Sequence, residues 1–418
     1  MSTSRRSEDT DAVAHIAAWN AHGDGRLLAR QFDEMARDAF SFMRASVDLF
    51  YERLSAMSLP PSPLVFGCGD LHVENFGAYL SDNRLAYFDQ SEFDEAQLLP
   101  AAAEMVRFLA SIMVAIHLHE PDGLDPKRSA RGALEAYARA LAEGKPQWIE
   151  RDLARGPIGD ILSALSRRLR SDELDLFSRS ARRGRRKLLR DGRRSAALPK
   201  EDRGLENEVR SLFGAIGLER DQRGFWKLRD IAQYVATKGS PGRPRYIALI
   251  KGQGDPDGNV IMDIKSAWPS RLALPAHPSQ PQLGNPAERS VFVQRLMQAR
   301  TPAFLQPVSL ADKAFVLSEF QPPEDRLGID ALLARPRRFA HAVETLARII
   351  AWNQLRAAVR KGAADVESLI EFASRDGWRR ELLEAAGECA ATVERDYASF
   401  ETAWRKHDTC LTSLAEAK

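Results

Sequence analysis

The sequence predicts an α+β protein, mostly helical, with a small antiparallel β region in its second half. Three observations predict it. Long segments toward both ends repeat apolar residues every three or four positions, the period of an amphipathic helix. Two short apolar runs, Leu64-Val65-Phe66 and Arg84 to Phe88, flank a polar loop, and Pro60, Pro61 and Pro63 forbid helix ahead of them. From about Lys227 the pattern changes to short runs rich in β-formers, separated by Gly, Asp and Pro.

In chain order, residues 1–25 read as a frayed start. Leu28, Phe32, Met35, Ala39, Phe42, Val47, Phe50 and Leu54 then predict one long helix over 26–54. Two short strands follow, at 64–66 and 84–88. A helix over 98–118 turns Ala102, Met105, Leu109, Ile112 and Ile116 inward. Residues 126–225 read as helical and charged. Tyr246–Ile250 and Val260–Lys265 predict a hairpin around the Gly252–Gly258 turn. A helix over 286–300, a strand over 315–320 ended by Pro322-Pro323, and helices from about 328 onward complete the reading. The units are 1–125 (helices and candidate catalytic loops), 126–225 (a charged helical insertion), 226–325 (the β lobe) and 326–418 (C-terminal helices).

Composition narrows the function. The 418 residues are 44% hydrophobic and 28% charged, with formal net charge +2, which gives no global field for nucleic acid. Cys68, Cys389 and Cys410 stand too far apart for a disulfide framework or a zinc site. Met1 to Asp9 precedes no apolar signal core, and the apolar stretch 98–116 carries Glu104 and Arg107, against a membrane span. A cytoplasmic location is expected.

The chemistry is concentrated in Gly69-Asp70-Leu71-His72-Val73-Glu74-Asn75-Phe76-Gly77 and, directly after, Tyr87-Phe88-Asp89-Gln90-Ser91-Glu92-Phe93-Asp94-Glu95. Kinase-type phosphoryl transfer needs one carboxylate to accept a hydroxyl proton, then an Asn and a second Asp to hold Mg²⁺ on phosphates. Asp70 is the candidate base, and Asn75 and Asp89 the candidate metal ligands. Magnesium takes oxygen ligands and keeps several waters, so two side chains plus phosphates suffice. His72 reads as a loop-shaping residue and Asp94 as a supporting carboxylate. A polar turn built for local hydrogen bonds is the bland alternative.

Gly239, Ser240 and Gly242 form a turn whose backbone N–H groups suit phosphate, and Lys265 on the return strand can reach the α- and β-phosphates. Strand alternation puts Lys265 on the face of Asp263. Glu288, on the next helix, is the expected partner of Lys265. The basic run from Arg182 to Arg194 lacks interleaved aromatics and reads as a solvated face, which disfavours nucleic acid as a partner. His117-Leu118-His119 reads as structural and the seven tryptophans as core.

These motifs resemble the signature of the bacterial domain of unknown function 2252 family. The likeness continues through Phe40-Ser41-Phe42-Met43-Arg44, Gly239-Ser240-Pro241-Gly242, Ile264-Lys265-Ser266-Ala267 and Gln294-Arg295-Leu296-Met297-Gln298, and spans roughly 30–400. That family is similar to the protein-kinase-like superfamily and its aminoglycoside phosphotransferases. The resemblance implies a kinase-like fold in permuted order, with the β lobe after the catalytic loop, Arg44 as a supporting residue, and a hinge at Glu319–Gln321. It implies Mg²⁺ and ATP as cofactors, with a hydroxylated small molecule or protein as acceptor. The chain departs from the family at Ser91-Glu92, where the family has Asn-Asp, and around Glu104–Arg107 and Leu346–Gln354. Those departures keep open a catalytically inactive, nucleotide-holding pseudokinase. Gly-Asp-x-His also occurs in metallophosphoesterases, but the later Gly-Asn-His is lacking: only Gly258-Asn259-Val260 stands here.

Overall fold

A computed structural model describes residues 11–21, 25–181, 184–199, 202, 204–235, 243–272, 280–333 and 335–416. The order begins α1 (Ala12–Trp19), α2 (Gly25–Met35), α3 (Ala39–Ala45), α4 (Val47–Ser55), β1 (Leu64–Gly67), β2 (Phe76–Leu80), β3 (Ala86–Gln90), β4 (Gln97–Pro100), α5 (Ala101–His119) and α6 (Pro126–Glu143). It continues α7 (Gly156–Arg167), α8 (Arg170–Phe177), β5 (Ser178–Ala181), β6 (Arg185–Leu188), β7 (Ser195–Ala196), α9 (Leu205–Glu219), β8 (Leu228–Tyr234), β9 (Arg245–Ile250) and β10 (Val260–Ser266). It ends α10 (Pro286–Met297), β11 (Gln306–Leu310), β12 (Lys313–Glu319), α11 (Ile329–Leu333), α12 (Pro336–Arg356), α13 (Val366–Ser374), α14 (Trp378–Arg405) and α15 (Thr409–Glu416).

The architecture is α+β with small antiparallel sheets. The helical body draws on both ends of the chain. Helix α5 runs through it, packed by α6 and α14, and α12 lies along α6. Helix α5 is, among the described residues, the one long and apolar enough to cross a membrane, and 89% of its most apolar window is buried inside the protein. The β lobe is a six-stranded antiparallel sheet in the order β11-β12-β10-β9-β8-β7. Its core is Phe213, Trp226, Tyr246, Ile264, Phe315 and their apolar neighbours, with α9 packed against it. Two small ladders, β1–β4 and β2–β3, form the edge of the body that faces this lobe and bring Gly77 opposite Asp89.

The predicted helix over 26–54 is three helices. Asp38 caps α3 by accepting Ser41 N–H at 2.6 Å, and Ser46, in non-helical backbone, bonds Phe42 O at 2.7 Å. The apolar period survives because all three pieces face one core. Residues 126–225 are not helical throughout. Of the basic run, Arg185, Arg186 and Lys187 fall on β6 and Arg190, Arg193 and Arg194 follow it, while Arg182 and Arg183 lie outside the described residues. Buried Arg186 pairs with Asp175 and Asp257, Arg190 with Asp230 and Arg194 with Glu324, so these three charges are met inside the chain. Trp19, Trp148 and Trp268 are about half exposed, unlike the core role expected of them.

Trp226 tests the lobe's core. It is 1% exposed and packs against Phe213, Phe225 and Phe304, while its Nε1 is buried without a hydrogen-bond partner. Trp226→Ala is expected to cost about 3–5 kcal/mol by urea unfolding followed by far-UV circular dichroism. Trp226→Phe, which also removes the unmet donor, should cost clearly less.

Candidate active site

The Asp70 loop leaves β1 under tight constraint. Cys68 N–H donates to Glu104 Oε1 at 2.7 Å, and Tyr51 Oη donates to Gly69 O at 2.7 Å. Gly69 sits at φ +77°, and a Cβ there would meet the Glu95 carbonyl oxygen at 2.5 Å, so only glycine fits. Asp70 Oδ1 accepts from Arg107 Nε at 3.2 Å and also from Arg107 Nη2. Arg107 is fully buried on α5, donates to Met43 O at 2.9 Å, and lies over the Phe50 ring. Burial pushes the Asp70 carboxyl above its ordinary range, against the pull of Arg107 and Arg271. The partner was visible in sequence only as a charge interrupting an apolar helix.

Asn75 is fully buried, and both ends of its amide are used. Nδ2 donates to Asp70 O at 2.9 Å, and Oδ1 accepts from Glu92 N–H at 2.8 Å. It ties the Asp70 loop to the loop after β3. His72 is fully buried, accepts Glu74 N–H at 3.2 Å through Nδ1, and is held neutral because burial drives its pKa well down. Asp89 turns inward: its Oδ1 accepts from Asn353 Nδ2 at 2.7 Å and from Gln90 N–H at 2.8 Å. Asp70, Asn75 and Asp89 therefore lie within one loop system, but Asn75 and Asp89 spend their side chains on the protein.

The carboxylates that reach open space are the next ones along. Ser91 through Asp94 line a narrow cleft between the β lobe and the body. Across it, Lys265 Nζ on β10 pairs with Asp94 Oδ2 at 2.5 Å. Arg326 pairs with Glu92, and Arg245 grips Asp263 through two bonds of 2.7 Å. Arg326, then Lys265 and Arg44, hold Glu92 well below the usual carboxylate range despite its burial. Asp70 is close enough to Glu92 for the two charges to disfavour each other. Glu288 is not the partner of Lys265. It closes a capping box with Asn285 at the start of α10, accepting Asn285 N–H at 2.8 Å. Gly239, Ser240 and Gly242 lie outside the described residues.

Arg326, Arg245 and Gln321 also line a second chamber of about 120 Å³, with Arg44 and Glu74, themselves paired at 2.8 Å. Among the described residues, the first chamber's walls carry four carboxylates (Glu92, Asp94, Asp263, Glu319) and three cations (Arg245, Lys265, Arg326). No group of three His, Cys, Asp or Glu side chains there is arranged to hold a metal by itself. Glu92 and Asp94 are hard oxygen donors on one wall, and against its burial Asp94 is held below the usual carboxylate range by Lys265 and Arg243. That donor set fits a Mg²⁺ ion sharing its shell with waters and phosphate.

Fold and site define a two-lobed α+β protein with an ion-paired cleft between a β lobe and a helical body. The chain belongs to a family of uncharacterized proteins conserved in bacteria, DUF2252, which covers residues 24–403. No curated protein and no solved structure matches it.

Glu104 gives this site a pH test. Its carboxyl is pushed up to about 7, chiefly by burial, although Gln354 Nε2 and the Cys68 N–H donate to it. Between about pH 4.5 and 7 the folded chain holds a proton that the unfolded chain releases, so this group's contribution to stability falls as pH rises through that window. The loss is on the order of 3 kcal/mol. Glu104→Gln should flatten the fall in unfolding free energy between about pH 5 and pH 8; an unchanged slope would contradict the assignment.

Proposed function

We propose that this protein is a Mg²⁺- and ATP-dependent phosphotransferase, kinase-like in plan, with the β lobe placed after the catalytic loop. The observation that carries the reading is the Lys265–Asp94 ion pair, which joins a β-lobe lysine to the acidic loop across a cleft. A lysine so placed suits the α- and β-phosphates, and the opposing carboxylates suit a magnesium ion. Bound Mg·ATP would supply the phosphoryl group and offset its charge. In this reading Glu92 and Asp94 supply the metal-holding oxygens. Asn75 and Asp89, expected from spacing to bind metal, instead fix the backbone and strand that present them. The backbone of Gly239, Ser240 and Gly242 is the proposed phosphate cradle.

Asp70 is the proposed base. Its carboxyl, raised by burial, can take a hydroxyl proton more readily than an ordinary aspartate. The acceptor is a hydroxylated small molecule or protein, and a cytoplasmic setting fits three free cysteines.

A second reading is favoured by Arg107, whose two contacts on Asp70 Oδ1 compete with a proton. Here the cleft holds nucleotide and transfers nothing. Thermal unfolding with Mg·ATP separates the cases. Ligand at about a hundred times its Kd stabilises by roughly 2.7 kcal/mol. Lys265→Met and Asp94→Asn should abolish that stabilisation. Asp70→Asn should keep it and lose phosphoryl transfer to water or acceptor by at least about a hundredfold. ATP stabilisation without turnover, equal in wild type and Asp70→Asn, supports the second reading; none in wild type removes both.

A further inference from the structure

The second chamber differs from the first in charge. Its walls carry three guanidinium groups, Arg44, Arg245 and Arg326, and one carboxylate, Glu74. The carboxylates that pair with Arg245 and Arg326, Asp263 and Glu92, line the first chamber instead. Arg245 and Arg326 are thus held by carboxylates of the first chamber while they also border the second, and Arg44 is held by Glu74 within the second. One carboxylate does not exhaust a guanidinium, which carries five donors in a planar fork matched to phosphate and carboxylate. Arg44 adds a direct sign of unmet demand: its Nε is buried and has no hydrogen-bond partner. Arg245 is further fixed by stacking on Tyr234, which lines the same chamber, at 4.7 Å from the ring centroid. Pre-set arginines lose little freedom when an anion arrives. The enclosed space, about 120 Å³, admits a group the size of phosphate or carboxylate.

We propose that this chamber binds an anionic group, phosphate or carboxylate, of a small hydroxylated molecule, and that it is the acceptor subsite of the cleft. The acceptor role rests on the phosphotransferase reading; the anion site does not. Arg245, Gln321 and Arg326 belong to both chambers, so an anion held here lies against the chamber of Lys265 and Asp94.

The test is isothermal titration calorimetry on the full chain with inorganic phosphate and, separately, malonate, without magnesium or nucleotide. Three variants are compared with wild type. Arg44→Gln removes a charge that lines the second chamber and not the first. Gly328→Glu adds a carboxylate to its wall, where a Cβ meets nothing within 4 Å, so that variant should fold even if Arg44→Gln does not. Lys265→Met alters the first chamber. Saturable uptake by wild type, weakened at least about tenfold by Arg44→Gln or Gly328→Glu and less than about twofold by Lys265→Met, is expected. Preference for phosphate over malonate, or the reverse, tells which acid the ligand carries. No saturable uptake of either anion, or loss in Lys265→Met with retention in the other two, overturns the proposal. Anion uptake by a chain that takes no Mg·ATP upholds the anion site and removes the phosphotransferase reading alone.

Discussion

The amide of Asn75 is the interaction on which the site depends. A buried amide must satisfy both its donor and its acceptor, and here the two ends reach into different loops. One end holds the Asp70 carbonyl and the other holds the backbone N–H of Glu92. That single side chain fixes the candidate base relative to the candidate metal carboxylates. Around it the supports are equally buried: Glu104 under Cys68, Arg107 behind Asp70, Asn353 behind Asp89. Each is a polar group in an apolar body, stable there only while its partner is present. The price of this arrangement is a body with little tolerance for change along the inner face of α5.

The cleft follows a different logic. Its charges are partly exposed and nearly balanced. Lys265, Arg326 and Arg245 each lean on a carboxylate across or along the seam. Such pairs, largely withdrawn from solvent, contribute modestly to stability because the cost of desolvating both charges offsets much of their attraction. Their more telling property is exchange. In the proposed reading an incoming polyphosphate would replace Asp94 as the partner of Lys265, while a cation would replace Lys265 as the partner of Asp94. The charge balance is kept in both states, so ligand entry need not strand a charge. The second chamber is bordered by three guanidinium groups, each already held by one carboxylate, and their remaining donors make it the natural place for an anion.

Much of this was legible in the sequence, for identifiable reasons. The β9–β10 hairpin and helix α10 follow from alternation, a Gly-rich turn and the helical apolar period, all local signals. The Asp70 loop was legible because glycine, proline and polar residues cluster where backbone must bend. The three-helix break at Asp38 and Ser46 was not, since caps in mid-pattern leave the apolar period intact. The partner of Lys265 was also missed. Glu288 is near in sequence, whereas Asp94 is brought to Lys265 only when the lobes pack, and no local rule encodes that. The inward turn of Asp89 depends on Asn353, from a helix far along the chain. Spacing can bring an Asp to the site, but Asp89 is held in β3 while Glu92 and Asp94 stand in the loop after it, and that loop lines the cleft. The arginines at 44, 245 and 326 come from three distant segments, so the anion chamber is a property of the fold alone.

The most direct measurement is crystallographic. Crystals grown with Mn²⁺ and a non-hydrolysable ATP analogue would place the metal by its anomalous signal. The account predicts a peak between the carboxylates of Glu92 and Asp94, with phosphate oxygens against Lys265 Nζ. A peak on the Asn75 and Asp89 side chains, or nucleotide bound away from Lys265, would contradict it.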